Sequence, residues 1–244
     1  MQSGEQKKIR INKYLAMSGI CSRRDADKLI EQGRVTVNGR IAVAGEQVSD
    51  RDTVLVGGKR ARTEEKKVVL AFYKPKGIVC TERDKHAEKK IMDLIHYPIR
   101  VTYAGRLDKD SEGLLLLTND GELIQRMMKA SEKHEKEYIV KTDKEVTDDF
   151  LEKMAQGIYL KELDLTTRPC KIEKTGKYTF QIILTQGVNR QIRRMCKALG
   201  YEVKELKRIR VLNIMLENLH PGQFRELEQE ELMLLYRQCG LYAE

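Results

Sequence analysis

A charged loop ahead of an apolar run is the segment of the sequence best suited to chemistry. Residues 104–113 read AGRLDKDSEG, and four leucines follow at 114–117. The four leucines predict a buried strand, and a loop fixed to a buried strand can hold a catalytic carboxylate in place. Asp108 is the candidate. The alternative is an ordinary charged loop in which Asp108 pairs with Arg106 or Lys109.

Two further segments carry side chains that could serve a site. Tyr138 begins a predicted strand at 138–142, where an aromatic ring is either a core residue or a surface on which another ring stacks. Residues 190–194 read RQIRR within a predicted helix at 189–199. Neighbouring helical residues point about 100° apart, so Arg193 and Arg194 serve different surroundings. The arginines form either a binding set or a solvated helix face.

Positive charge is concentrated in two parts of the chain. The whole sequence has 46 Lys and Arg against 37 Asp and Glu, and residues 1–67 alone have 15 basic against 9 acidic side chains. Residues 186–210 hold eight basic and two acidic side chains. Single lysines and arginines are commonly solvated surface, but two separated concentrations predict a nucleic-acid partner.

Composition excludes several classes of protein. Hydrophobic residues are 41% and charged residues 34% of the 244, which excludes a disordered or fibrous chain. No apolar run approaches a membrane span, and the polar amino terminus has no secretory signal, so we expect a cytoplasmic protein. The five cysteines and four histidines lack ligand spacing, which predicts reduced thiols and no metal site.

The amino-terminal third predicts a small helix-helix-strand module. Helices are expected at 9–18 and 23–32, the second capped by Ser22, and a hairpin turn at Asn38-Gly39 joins short strands. Arg23 and Arg24 oppose the dipole at their helix amino terminus. A phosphate bound there would reverse that interaction, and two solvated arginines are the alternative. The charged stretch 59–67 after two glycines predicts a linker.

The remaining sequence predicts an α+β domain. Strands are expected at 68–73, 77–81, 138–142 and 178–184, and helices at 147–156, 189–199 and 228–236. Strands and helices alternate without a glycine-rich phosphate loop, which favours a mixed or antiparallel sheet with helices packed on it.

Several segments together carry a resemblance to a known family. RINKYLAMSGICSRRDADKLIEQGRVTVNGR resembles the small S-four-like, or αL, RNA-binding domain. GRLDKDSEGLLLLTNDGEL closely resembles the catalytic motif of pseudouridine synthases of the RsuA/RluB/RluE/RluF family. YKPKGIV at 73–79, HEKEYIV at 134–140 and QGVNRQIRRMCKALGYEVKELKRIRV at 186–211 occur in the family's order, and the wording is nearest the RluF branch.

The resemblance implies a domain organisation and an activity. It places an S-four-like RNA-binding domain at 1–58, a linker at 59–67 and a catalytic domain with a mixed or antiparallel sheet at 68–244. It implies isomerisation of a specific uridine in ribosomal RNA, most simply of the large subunit, by base flipping and without a cofactor. The expected partner is ribosomal RNA, and the protein is expected to be a cytoplasmic monomer.

The resemblance also implies roles for individual residues. Asp108 would attack or deprotonate the target nucleoside, Tyr138 would stack under the uracil ring, and Arg193 would pair with Asp108. Arg106 would fill the gap left by the flipped base. The further RNA contacts expected are Arg23, Arg24, Lys74, Arg190 and Arg194.

Two other classes of function remain as alternatives. A non-catalytic RNA-binding or ribosome-assembly protein could keep the fold, although it would have no need of both Asp108 and Tyr138. A nucleoside or glycoside hydrolase would need a second carboxylate, which the sequence does not offer in an obvious place.

Overall fold

The computed structural model describes residues 8–63, 66–81 and 90–241. These residues divide into two compact units. The amino-terminal unit runs to Val68 and also contains Tyr97–Val101 and Asn119–Gly121. The second unit contains Val69–His96, Thr102–Thr118 and the chain from Glu122 onward.

In its described residues, the amino-terminal unit has two short helices and six short strands. Its elements are β1 Ile9–Arg10, α1 Ile11–Met17, α2 Arg23–Glu31, β2 Val35–Val37, β3 Arg40–Ile41, β4 Gln47–Val48, β5 Val54–Val56 and β6 Lys59–Arg60. The strand order β3-β2-β5-β6 forms one sheet, and β1 pairs with β4. The Ser22 hydroxyl accepts the Asp25 backbone N–H at 3.3 Å, as a helix cap does. Asn38 and Gly39 have the positive φ values that a tight hairpin turn requires.

The expected linker does not begin at residue 59. Lys59 and Arg60 pair with Val56 and Leu55, so Gly57 and Gly58 form the turn of a hairpin. Ala61 is buried in the core of the amino-terminal unit, and its carbonyl accepts the Tyr14 hydroxyl at 3.4 Å. The linker prediction is therefore wrong for residues 59–61, because hairpin pairing and burial order a segment whose composition is that of a linker. Residues 64 and 65 lie outside the described residues.

The second unit contains most of the regular structure. Its strands are β7 Val69–Lys74, β8 Thr102–Ala104, β9 Glu112–Thr118, β10 Lys136–Thr142, β11 Tyr159–Leu160, β12 Leu165–Thr166, β13 Lys171–Gly176, β14 Thr179–Leu184, β15 Val203–Val211, β16 Ile214–Met215 and β17 Phe224–Glu226. Its helices are α3 Gly121–Met127, whose first residue belongs to the amino-terminal unit, α4 Asp148–Gln156, α5 Gln191–Ala198 and α6 Gln229–Gln238. Short 3₁₀ turns lie at Ile91–Leu94, Ala130–Glu132 and Lys161–Leu163.

Within the described residues, nine strands of the second unit form one mixed sheet. The strand order is β13-β14-β10-β15-β9-β7-β17, with β16 beside β15 and β8 beside β9. The contact between β15 and β9 is parallel and the others are antiparallel. The expectation of an α+β domain with a mixed sheet is confirmed.

Two apolar clusters hold the helices to this sheet. Leu235 and Tyr236 of α6 pack in a cluster that includes Leu114 and Leu116 of β9. A second cluster joins residues of α4, α5, β10, β14 and β15, among them Phe150, Phe180 and Met195. No helix in the ranges that the structure describes has the length and apolar character needed to cross a membrane.

The sequence-based strand assignments differ from the structure most clearly at residues 77–81 and at β15. Residues 77–81 form a turn and one isolated bridge between Val79 and Lys90 rather than the expected strand. The central strand β15 was not expected, because its sequence VKELKRIRV is rich in charge. Val203, Leu206, Arg208 and Val211 of β15 are nevertheless buried.

Replacement of Gly113 tests the parallel pairing of β9 with β15. Gly113 has φ +107°, and a Cβ atom there would overlap the backbone of Arg208. Gly113→Ala is expected to lower the free energy of unfolding by about 3 kcal/mol, through backbone strain and overpacking. Urea unfolding of the purified protein measures this loss.

Gly121→Ala is the matched control. Gly121 begins α3 with an ordinary φ, and a Cβ atom added there would meet no heavy atom of another element within 4 Å. This variant is expected to stay within about 1 kcal/mol of the wild type. Equal unfolding midpoints for the two variants would contradict the assigned role of Gly113.

Candidate active site

The second unit contains a pocket of about 510 Å³ beside the charged loop. Its walls are the loop between β8 and β9, strands β10 and β15, and the loop that leads into α5. The volume falls in the range of about 300–1,000 Å³ that is typical of small-ligand pockets. Of the predicted site residues, Arg106, Asp108, Tyr138 and Arg190 line this pocket.

Asp108 lies in the loop that precedes β9, as the sequence predicts. Its carboxylate is 30% exposed, and its Oδ2 atom lies 3.7 Å from Nη1 of Arg190. The Asp108 carbonyl accepts the Ser111 backbone N–H at 3.1 Å, and Leu107 donates its backbone N–H to the Cys80 sulfur at 3.3 Å. These contacts turn the Asp108 carboxylate toward both the pocket and a guanidinium.

Lys74, at the end of β7, anchors the loop between β8 and β9. Its side chain is fully buried, and its Nζ donates to the Ser111 carbonyl at 2.7 Å and the Pro75 carbonyl at 2.9 Å. Burial lowers the pKa of the Lys74 ammonium, and the charges of nearby acidic groups partly oppose this shift. The expectation that Lys74 contacts RNA is wrong, because the end of a buried strand places its ammonium beneath the loop and out of reach of a polyanion.

Arg193 fixes the same loop from α5. Its guanidinium donates to the Asp110 carbonyl at 3.1 Å, the Ser111 hydroxyl at 3.4 Å and the Val203 carbonyl at 3.0 Å. It also lies 3.3 Å from the Asp110 carboxylate. The expected pair between Arg193 and Asp108 is therefore absent from the described contacts. The α5 geometry directs Arg193 to the loop backbone instead.

Arg190 takes the position beside Asp108 that was expected for Arg193. It precedes α5 with a left-handed backbone, φ +53°, and its guanidinium holds both oxygens of Asp110 at 2.9 and 3.2 Å. Burial acts to raise the pKa of Asp110, but the hydrogen bond from Arg190 and the charge of Arg193 outweigh it and leave that pKa lowered. Arg190 thus links Asp108 and Asp110 to the loop before α5.

Tyr138 lies on the wall of the pocket that the sheet forms. It is half-buried on β10, and its strand partner on β15 is Arg208. Residues directly opposite in an antiparallel pair share a face of the sheet, so Tyr138 and Arg208 stand side by side. An aromatic ring in this position can support a flat base bound in the pocket.

The other predicted RNA contacts lie outside the pocket, apart from Arg106, which is exposed on its rim. Arg194 donates to Glu162 at 2.6 Å and to the Asn189 carbonyl at 2.9 Å, so it holds the loop before α5. Arg23 and Arg24 are exposed in the first turn of α2 in the amino-terminal unit. Their contact with RNA stays a prediction.

Sequence reasoning missed the cations that the sheet contributes to the pocket wall. Lys136 on β10 and Arg208 on β15 both line the pocket, and Arg208 is only 4% exposed. Arg208 follows Leu206 by two residues in VKELKRIRV, and this strand spacing from an apolar residue was the available signal for Arg208. Among the described residues, no group of three His, Cys, Asp or Glu side chains could hold a metal ion, and His86 lies outside those residues.

Comparison with known proteins identifies the class of protein that this fold and pocket represent. A family model described as RNA pseudouridylate synthase matches residues 68–198, and one described as S4 domain matches residues 9–54. The first match covers more than half of the chain. The chain therefore belongs to the RNA pseudouridine synthase family, and it is an enzyme of that family with an S-four-like domain ahead of the catalytic domain.

Individual relatives agree with this assignment. The chain is 46% identical over 231 residues to the dual-specificity RNA pseudouridine synthase RluF of Escherichia coli, covering 94% of this chain and 79% of that protein. It is 36% identical to the ribosomal large subunit pseudouridine synthase B of Bacillus subtilis, covering 93% and 95% of the two chains. A solved pseudouridylate synthase structure is 31% identical with a TM-score of 0.69, covering 93% of this chain and 99% of that one.

Replacement of Lys74 tests whether it holds the loop or binds RNA. Lys74→Met leaves the Ser111 and Pro75 carbonyls without their donor, so the free energy of unfolding is expected to fall by about 2 kcal/mol. The displaced loop is expected to lower kcat about ten-fold or more, because small misplacements of reacting groups are costly. Urea unfolding and steady-state kinetics measure the two effects, and filter binding measures the Kd for RNA, which is expected to change less than two-fold.

Lys76→Met is the control. Lys76 is exposed, and its ammonium forms an ion pair with Glu112 at 3.7 Å. This substitution is expected to cost less than about 1 kcal/mol. Weaker RNA binding by Lys74→Met, with a smaller dependence on salt, would instead restore the RNA-contact interpretation.

Proposed function

We propose that the protein converts a uridine of large-subunit ribosomal RNA to pseudouridine with Asp108 as the catalytic carboxylate. The observation that carries the proposal is the position of Asp108 in the pocket, 3.7 Å from Arg190, with Tyr138 lining the same pocket. The name of the Bacillus subtilis relative, which is 36% identical over nearly its whole length, supports the choice of large-subunit RNA.

The proposed reaction moves the attachment of one base. The bond between uracil N1 and ribose C1′ breaks, the uracil turns within the pocket, and a bond forms between C5 and C1′. The C5 proton leaves to solvent and N1 gains a proton, so the reaction is an isomerisation. Bond cleavage creates positive character at the sugar, which the Asp108 carboxylate stabilises or traps covalently. Uracil stays in the site, so a second catalytic carboxylate is unnecessary.

The walls of the pocket suit a flipped nucleotide. Tyr138 supplies an aromatic face for the extruded uracil, and Arg106 at the exposed rim stacks into the gap that the base leaves behind. Arg190 stands beside Asp108 as its cation, while Arg193 positions the loop through Asp110 and Ser111. Arg193 is thus assigned a positioning role.

The amino-terminal unit supplies RNA affinity in this proposal. Its S-four-like segment is basic, and Arg23 and Arg24 are exposed at the start of α2, where a phosphate also meets the free backbone N–H groups. We place Arg194, whose side chain is held by Glu162, at the edge of the RNA-binding face. We place the protein in the cytoplasm because its proposed substrate is ribosomal RNA, and we propose that it acts as a monomer.

Release of tritium tests the function and the role of Asp108 together. Large-subunit ribosomal RNA transcripts labelled with tritium at uridine C5 are incubated with the purified protein, and released tritium is counted. The wild type is expected to release tritium. Asp108→Asn is expected to be slower by at least about 10⁴-fold, with a Kd for RNA within about three-fold, because Asp108 does chemistry and the basic surfaces do binding.

Asp149→Asn on α4 is the matched control, because Asp149 is exposed and pairs with Lys153 on the same helix at 2.7 Å. It is expected to retain wild-type activity. Equal loss of activity and RNA binding in Asp108→Asn would make Asp108 a structural residue. If the wild type releases no tritium from transcripts or from ribosome-assembly intermediates, the protein is better explained as a non-catalytic RNA-binding protein.

A further inference from the structure

Two cations stand together on the pocket wall, and among the residues that the structure describes neither has an acidic partner. Arg208 of β15 lies opposite Tyr138, and Lys136 is two residues before Tyr138 on β10. Residues two apart on a strand share a face, so Lys136, Tyr138 and Arg208 all face the pocket.

Backbone carbonyls accept the hydrogen bonds of both cations. Lys136 Nζ donates to the His134 carbonyl at 3.3 Å, and Arg208 Nε donates to the Leu114 carbonyl at 2.7 Å. In the described part of the chain neither side chain has a carboxylate partner. Glu135, which precedes β10, and Glu137 on β10 bind Arg210 instead.

The positive charges of Lys136 and Arg208 are not balanced by a neighbouring negative charge in the described part of the chain. Burial, reinforced by the charge of Arg208, lowers the pKa of Lys136 to about 8. Buried charge is costly unless it is paired, and perturbed cations that face a pocket are typical of ligand-binding sites. The pocket wall is therefore complementary to a ligand that brings negative charge.

We propose that Lys136 and Arg208 form a subsite for the negative charge that develops on the uracil carbonyl oxygens as the glycosidic bond breaks. The proposal rests on the function proposed above. The electron pair of the N1–C1′ bond passes to uracil and is delocalised onto O2 and O4, where Lys136 and Arg208 stabilise it. The charge is neutralised when C5 bonds to C1′, the C5 proton leaves and N1 is protonated.

Burial favours uracil over an RNA phosphate as the occupant. Arg208 is 4% exposed, whereas Arg190 is 42% exposed and Arg106 lies on the rim, nearer to an RNA backbone in solvent. Leu184, Leu206 and Val211 also line the pocket, and their apolar surfaces suit a base better than a hydrated phosphate.

Single-turnover kinetics of Lys136→Met test the subsite. The rate of tritium release is expected to fall about 100-fold, as when one preorganised donor to a developing oxyanion is removed. The Kd for RNA is expected to stay within about two-fold, and the urea midpoint to stay level or rise, because a buried charge is removed. Lys136→Arg is expected to recover most of the rate.

Lys141→Met is the control on the same strand. Lys141 is exposed and pairs with Glu205 at 3.1 Å, and its loss is expected to leave the rate unchanged. A wild-type rate in Lys136→Met would overturn the subsite. Absence of tritium release by the wild type itself would overturn the proposed function and, with it, the subsite.

The pH profile of kcat/KM supplies a readout that a structural role would not move. Lys136 loses its positive charge above pH 8, so kcat/KM of the wild type is expected to fall about ten-fold between pH 7 and pH 9. Lys136→Arg keeps its charge and is expected to show no such fall.

Other groups face the same pocket and are retained in Lys136→Arg. Those that titrate are Asp108, Cys80, His134 and Tyr138. The cations beside them are Arg106, Lys109, Lys129 and Arg190. A fall that persists in Lys136→Arg therefore arises from one of these groups or from the RNA, and would overturn the assignment to Lys136.

An RNA with one uncharged backbone linkage tests whether uracil or a phosphate occupies the subsite. The phosphate 5′ to the target uridine is replaced by an uncharged methylphosphonate, and wild type and Lys136→Met are compared on this RNA. The 100-fold difference between the two proteins is expected to persist. Its disappearance would show that Lys136 binds the phosphate, and would overturn the uracil subsite.

Discussion

The site depends on the hydrogen bond that the buried ammonium of Lys74 donates to the loop before β9. This ammonium stands at the end of β7, a strand buried along its length, and holds the Ser111 carbonyl at 2.7 Å. Ser111 is the last loop residue before β9, and Arg193 of α5 donates a hydrogen bond to its hydroxyl. A loop tied to a strand and a helix loses the freedom that loops ordinarily have, and that is what a precisely placed carboxylate requires.

Charge is divided between the two sides of the pocket. Asp108 faces Arg190 on the loop side, while Lys136 and Arg208 face the pocket from the sheet without a carboxylate partner among the described residues. Cleavage of a nucleoside bond separates charge in the same sense, positive at the sugar and negative on the base. In the proposed reaction the pocket would therefore stabilise both ends of the breaking bond, with Asp108 toward the sugar and the two cations toward the uracil.

The fold and part of the site could be predicted from the sequence. The run of four leucines predicted the strand β9, and the Asn38-Gly39 pair predicted the hairpin turn between β2 and β3. The loop motif predicted Asp108 as the candidate carboxylate, and Asp108 lines the pocket. Strand β15 escaped prediction because its lysines and arginines obscure the buried positions. Lys74 was misassigned for a related reason, since a lysine beside a Pro-Gly turn has the composition of an exposed residue.

The sequence by itself determined the family, the order of the domains' motifs and the candidate carboxylate, because these depend on residue types at short spacing. Only the tertiary structure decided which cation meets which anion. Arg193 and the Asp110 carbonyl are 83 residues apart in sequence, and Lys74 and Ser111 are 37 apart. Such pairs are set by how β7, β9 and α5 come together. Local patterns predict which residues of a strand share a face, but not which residues of other elements that face meets, so Arg190 beside Asp108 and Lys136 beside Arg208 emerged only from the fold.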